Sequence, residues 1–182
     1  MTNAIRRLIW FGAVIATLAM AETTDPGRDL YLNAGGYGCA VCHGPVANGG
    51  GQAGGPIRGA NREAFDKALA EQPTMQLLLN TLSQYDIADL SRYLESLALI
   101  PLLEMVYSDS GWRITQQPVS EGQTVQIVVY NDSFADLEID LQSLGFAPTT
   151  ITPLDTLVLE WIAEAGTFVL PDNGRLVVPE QI

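Results

Sequence analysis

The chain has 182 residues, with nine Lys and Arg against 21 Asp and Glu and a formal net charge of −12. A surface this acidic repels nucleic acid and anionic membranes and draws basic partners in a salt-dependent way. Two cysteines and one histidine are too few for a disulfide framework or a four-ligand structural zinc site.

Arg6 and Arg7 give a positive start, Leu8 to Leu18 is an apolar run, and Ala19-Met20-Ala21 has the small-x-small form of a cleavage site. Residues 1–21 therefore read as a secretory signal peptide and place the mature protein in the periplasm. The alternative is a membrane anchor facing the periplasm, but the run is shorter than the ~20 apolar residues that span a bilayer. Loss of Arg6 and Arg7 with the signal takes nine basic residues to seven and the net charge from −12 to −14. About 160 residues then remain, enough for one ordinary domain or two small ones.

Asp25-Pro26 pairs an N-cap residue with proline at the first helical position, and Gly35-Gly36 stops the short helix that follows. Next comes Cys39-Ala40-Val41-Cys42-His43, then a glycine-rich stretch over 44–59 that reads as a loop wrapped around something. Arg62 to Ala70 reads as a second helix with Phe65 and Leu69 on one face. Ser83, with Asp86 three residues on, opens a third that carries Ile87, Leu90, Leu94 and Leu97 at helical spacing, and Pro101 follows its end.

From about Tyr107 the period changes to two. Thr124–Tyr130, Leu137–Leu141, Leu157–Trp161, Thr167–Leu170 and Leu176–Val178 are short strands separated by turn residues such as Asn131-Asp132-Ser133 and Asp172-Asn173-Gly174. The expected fold class is α+β: an all-α domain over 22–103 followed by a small antiparallel β-sandwich over 104–182.

The Cys-x-x-Cys-His spacing offers two thiols and an imidazole within one turn of chain, the pattern of covalent haem c attachment. A dithiol redox site would want a preceding strand in a βαβ context, whereas a short helix and Gly35-Gly36-Tyr37-Gly38 come before it. Cys39, Cys42 and His43 are thus the candidate haem-binding residues, with His43 the proximal iron ligand. No second histidine exists, so the soft donors left in the mature chain are Met75 and Met105. Met75 lies between the second and third helices, and Met105 after the third. A His/Met pair raises the reduction potential of haem iron.

On these residues, positions 25–100 resemble a class I c-type cytochrome: short helix, haem motif, glycine-rich loop with Gly55-Pro56-Ile57-Arg58-Gly59, distal methionine and long last helix. The resemblance implies that the Pro56 carbonyl accepts the proton of the other His43 nitrogen, which fixes the ring. It also implies Met75 as the sixth ligand, contacts of Leu30 and Tyr31 with Tyr93 and Leu94, and a haem pocket packed by Phe65 and Leu77 to Leu79. Arg58 could reach a haem propionate.

Residues 107–180 resemble a cupredoxin in the order of their strands, through Trp112-Arg113-Ile114, Val128-Val129-Tyr130-Asn131 and Gly174-Arg175-Leu176. A blue copper centre needs two histidines and a cysteine, and all such residues belong to the haem motif, so the expected unit is cupredoxin-like and copper-free. Asp136, Glu138 and Asp140 alternate along one strand and form an acidic stripe.

The function expected from the sequence is electron transfer, not enzymatic catalysis. One covalent haem c would pass single electrons between donor and acceptor redox proteins with basic docking surfaces, as a subunit of a larger, possibly membrane-bound redox complex, with the β unit as docking module. The alternative is a haem-based sensor or gas-binding protein in which the β unit is the output module.

Overall fold

The computed structural model describes residues 25–180; the signal peptide expected over residues 1–21 lies outside them. Three helices of eight or more residues carry the first half of the described chain. Helix α1, Pro26–Asn33, is capped by Asp25, whose side chain accepts from the Gly27 N–H at 2.9 Å. The motif forms a single turn, α2, Ala40–His43. Helix α3, Arg62–Glu71, is capped by Asn61, and α4, Pro73–Gln76, is again one turn. Helix α5, Gln84–Leu97, begins with a complete capping box between Ser83 and Asp86 and buries Ile87, Leu90, Tyr93, Leu94 and Leu97.

Helices α1 and α5 cross at close range. A methyl group at Gly27 would overlap the Asp89 carbonyl oxygen and lie 2.7 Å from Tyr93 Cβ, so only glycine permits this approach. Near that contact Tyr31, fully buried, packs against Tyr93 with ring centroids 5.5 Å apart and ring planes tilted by 49°. Phe65 and Leu69 of α3 complete the same apolar cluster. Among the described residues no helix is long and apolar enough to cross a membrane.

The second half is sheet. Strands β1 (Leu102–Ser108), β2 (Gly111–Gln116), β3 (Thr124–Asp132), β4 (Leu137–Ile139), β5 (Thr149–Ile151), β6 (Thr156–Ile162), β7 (Gly166–Val169) and β8 (Arg175–Val178) form a four-stranded sheet ordered β2-β1-β3-β6 and two ribbons, β4-β5 and β7-β8. After the β1-β2 hairpin the chain crosses to the far side of β1, so β3 runs parallel to β1 with Leu103 opposite Ile127 and Met105 opposite Val129. Those four residues face an apolar core closed by Leu137, Ile139, Trp161 and Leu176. The opposite face of β3 is covered too, since Gln126 and Val128 are also buried. A strand covered on both sides reads as a continuous apolar run rather than an alternating one.

This architecture corrects the expected fold class. Of the described residues 31% are helical and 28% strand, with a mixed four-stranded sheet and small helices, and no large all-α domain is found among them. The glycines of 44–59 keep that stretch in loop, leaving three helices longer than one turn. The antiparallel sandwich is corrected as well, because β1 and β3 are parallel and β4, β5, β7 and β8 form two-stranded ribbons. The resemblance to a class I c-type cytochrome fused to a cupredoxin-like sandwich is therefore not carried by the fold.

Candidate functional site

The motif sits where α1 hands the chain to the glycine-rich loop. The Cys39 N–H donates to the Tyr31 carbonyl at 2.7 Å, and the His43 N–H to the Cys39 carbonyl at 2.9 Å. The turn is thus anchored to α1 at one end and closed on itself at the other. Gly44 ends it at φ +84°, and its carbonyl accepts from the buried Tyr31 hydroxyl at 2.6 Å. The loop then folds back over the turn: Gly49 N donates to His43 O at 2.8 Å, Gln52 N to Val41 O at 2.8 Å and Gly54 N to Cys42 O at 2.7 Å.

That return brings backbone against the His43 ring. A methyl group at Gly54 would lie 2.6 Å from His43 Cε1, and Nδ1 is 2.8 Å from the Gly55 carbonyl oxygen. A carbonyl can only accept, so Nδ1 carries the proton and Nε2 presents its lone pair. The carbonyl at the ring belongs to Gly55, one residue before the expected Pro56. Pro56 packs instead on the loop, where a methyl group at Gly49 would lie 2.7 Å from its nitrogen.

Both thiols are free, Cys39 half-buried and Cys42 exposed. Burial, reinforced by the neighbouring Cys42, pushes the Cys39 thiol up to about 11. Met75 lies in α4, half-buried against the helical cluster that Cys39, Ala40 and Ile57 also contact. Leu78 joins that cluster, but Leu77, expected in a haem pocket, is 78% exposed and Leu79 is exposed too. Tyr37, just before the motif, is 80% exposed, and Val41 within it is also open. Phe65 is buried in the helical cluster.

The donor chemistry suits covalent haem: two unpaired thiols, and an imidazole whose far nitrogen is held by a carbonyl. Among the described residues no group of three or more His, Cys, Asp or Glu is gathered to hold a metal ion; a His/Met axial pair is not such a group.

Arg58 does something the sequence reading did not anticipate. Its Nη1 donates to Val46 O at 2.9 Å and Gln126 Oε1 at 2.7 Å, and its Nη2 to Ile100 O at 2.7 Å and to Leu97 O. The guanidinium therefore joins the loop, the end of α5 and β3, rather than pointing at a propionate. Burial lowers its pKa from the ordinary value, opposed by Tyr93 and Tyr31. A second junction contact runs from Asn48 Nδ2 to Glu104 Oε1 at 2.6 Å. The one glutamine in the apolar run Val125–Tyr130 was the available signal for this joint.

In the β unit Asp136, Glu138 and Asp140 are exposed, and Asp140 caps the turn at Gln142 N at 2.8 Å. Met105, the other candidate sulfur, is fully buried in the sheet core.

No family model matches the chain, and no curated protein matches it. Neither comparison supports the cytochrome or the cupredoxin resemblance.

Proposed function

We propose that this chain binds one haem c and passes single electrons between a donor and an acceptor redox protein. The observation that carries the reading is the α2 turn: Cys39, Cys42 and His43 on one turn of chain, with His43 Nδ1 held by the Gly55 carbonyl at 2.8 Å. Cys39 and Cys42 would hold the group by thioether bonds, His43 Nε2 would be the proximal ligand, and Met75 the distal one. Bound there, haem supplies an iron that takes up and gives back one electron.

The chain's own residues set the conditions for that exchange. The Gly55 carbonyl fixes the ring orientation and raises the basicity of Nε2. The glycine loop presses backbone against the ring and limits its rotation. A thioether ligand at Met75 favours the reduced state relative to a second imidazole.

In this reading the protein is exported to the periplasm and works as a subunit of a larger redox complex, which can be membrane-bound. The β unit carries no copper, since the single histidine and both cysteines are committed to haem. Its acidic stripe, Asp136, Glu138 and Asp140, docks a basic partner surface, and the attachment weakens as salt rises.

The test is production of the full chain in the periplasm of a host that attaches haem c. The expected product carries one covalent haem, shows the far-red charge-transfer band of methionine sulfur on ferric iron, and resists carbon monoxide when reduced. Covalent haem with no such band and ready carbon monoxide binding would replace electron transfer by gas sensing. Absence of covalent haem would remove both.

A further inference from the structure

Gln126 is 6% exposed and lies on the face of β3 that points away from the sheet core. Its Oε1 receives the Arg58 guanidinium at 2.7 Å. Arg58 in turn donates to the Val46 carbonyl, which lies just past the motif, and to the Leu97 and Ile100 carbonyls at the end of α5. A cation at the last carbonyls of a helix is favoured by both hydrogen bonding and the helix dipole. A planar fork satisfying four acceptors at once fixes the segment that carries it.

That segment is the one facing His43. Arg58 stands three residues after Gly55, whose carbonyl holds the ring. The loop is tied at its start by Gly54 N to Cys42 O at 2.7 Å, and near its end by Ile57 N to Ala47 O at 2.9 Å and Gly59 N to Leu94 O at 2.7 Å. Between these ties, the sheet reaches the loop through the Gln126 side chain.

We propose that Gln126 is a positioning residue for His43: through Arg58 it sets the Gly55 carbonyl against the imidazole, so the β unit tunes the histidine it does not touch. For its redox consequence this rests on the haem reading above; for its mechanical part it does not. The physical basis is that outer partners of a ligating histidine govern its orientation and basicity, and here the outermost partner belongs to the sheet.

The test compares Gln126→Leu, which removes the acceptor, with Gln126→Glu, which keeps it, in the full chain. Ile127→Val, on the opposite face of β3, controls for general loss of stability. Amide hydrogen exchange is read at Gly54, Ile57, Arg58 and Gly59, and the His43 ring nitrogens are read by NMR, which works with or without haem. Gln126→Leu should speed exchange at those amides by about tenfold beyond the control and shift the Nδ1 resonance, while Gln126→Glu leaves both near the parent. In haem-loaded protein the equilibrium constant for reduction against a reference couple should change by about threefold in Gln126→Leu and recover in Gln126→Glu.

Exchange no faster than in the control overturns the brace. Faster exchange with an unmoved His43 ring overturns the positioning role. If the chain carries no haem, the haem reading fails on its own, and exchange and ring resonances still decide the brace.

Discussion

His43 Nδ1 and the Gly55 carbonyl oxygen lie 2.8 Å apart, across a loop whose glycines let backbone reach the ring. The contact assigns a proton to Nδ1, and in the neutral ring Nε2 then presents its lone pair. It depends on Gly54, where any side chain would collide with the imidazole.

Gly54→Ala should therefore turn the His43 ring off the Gly55 carbonyl. The expected outcome is a changed His43 ring-nitrogen spectrum and a loss of about 1–3 kcal/mol of stability from overpacking, measured by denaturant unfolding. An unchanged ring signal at parental stability would show that the loop relaxes around the methyl.

Tyr31→Phe removes the 2.6 Å hydrogen bond to the Gly44 carbonyl and leaves the ring contact with Tyr93 in place. The cost should be about 1 kcal/mol, because Gly44 O also accepts from Ala47 N. Burial, with smaller contributions from Cys39 and Tyr93, pushes the Tyr31 hydroxyl well above the ordinary tyrosine range. A raised folded pKa gives stability that is complete below the unfolded value and fades as pH rises past it, through the folded value. Alkaline unfolding above about pH 10 should be steeper in the parent than in Tyr31→Phe, as circular dichroism against pH would record.

Asp86 presents the opposite sign. The Ser83 backbone N–H, 2.8 Å from Asp86 Oδ2, and the Ser83 hydroxyl hold its carboxyl below the ordinary value. A depressed pKa gives stability present above the unfolded value and lost as pH falls through the folded one. Asp86→Asn should lower Tm at pH 7, and the gap to the parent should close below about pH 4. A gap independent of pH would mean that the charge is not what the cap uses.

Asn131 is fully buried, and its Nδ2 donates to the carbonyls of Ala135, Ile151 and Thr152 at 2.8, 3.0 and 3.1 Å, while Oδ1 accepts from the Ser133 hydroxyl at 2.7 Å. One side chain thus ties the end of β3 to β5 and to the turn before β4. Asn131→Ala should cost about 2–3 kcal/mol, since it strands buried carbonyls as well as losing bonds. Urea unfolding measures it, and a cost within the range of a surface substitution would contradict the role.

The motif and helix α5 were legible because their signals are local: fixed spacing in one case, Ser83, Asp86 and the apolar positions from Ile87 to Leu97 in the other. Strand β1 was not, since Leu102-Leu103-Glu104-Met105 after Pro101 has no alternation and becomes a strand only between β2 and β3. The parallel pairing of β1 with β3 is likewise a tertiary choice that neither segment encodes alone. Around His43 the residue types were readable, yet the choice of Gly55 over Pro56 depends on how the Gly54-Gly55 backbone turns. The role of Arg58, expected at a haem propionate, was not legible because its acceptors lie at Val46, Leu97, Ile100 and Gln126, far apart in the chain.

The proposed haem would be held by Cys39, Cys42, His43 and Met75. Intact mass and the far-red absorption of the exported protein, compared with Met75→Ala, test it most directly. The expected result is one covalently added haem in both proteins and the methionine-to-iron band in the parent only. A parent chain that leaves the periplasm at its bare polypeptide mass, with the host attaching haem to a control protein, would contradict it.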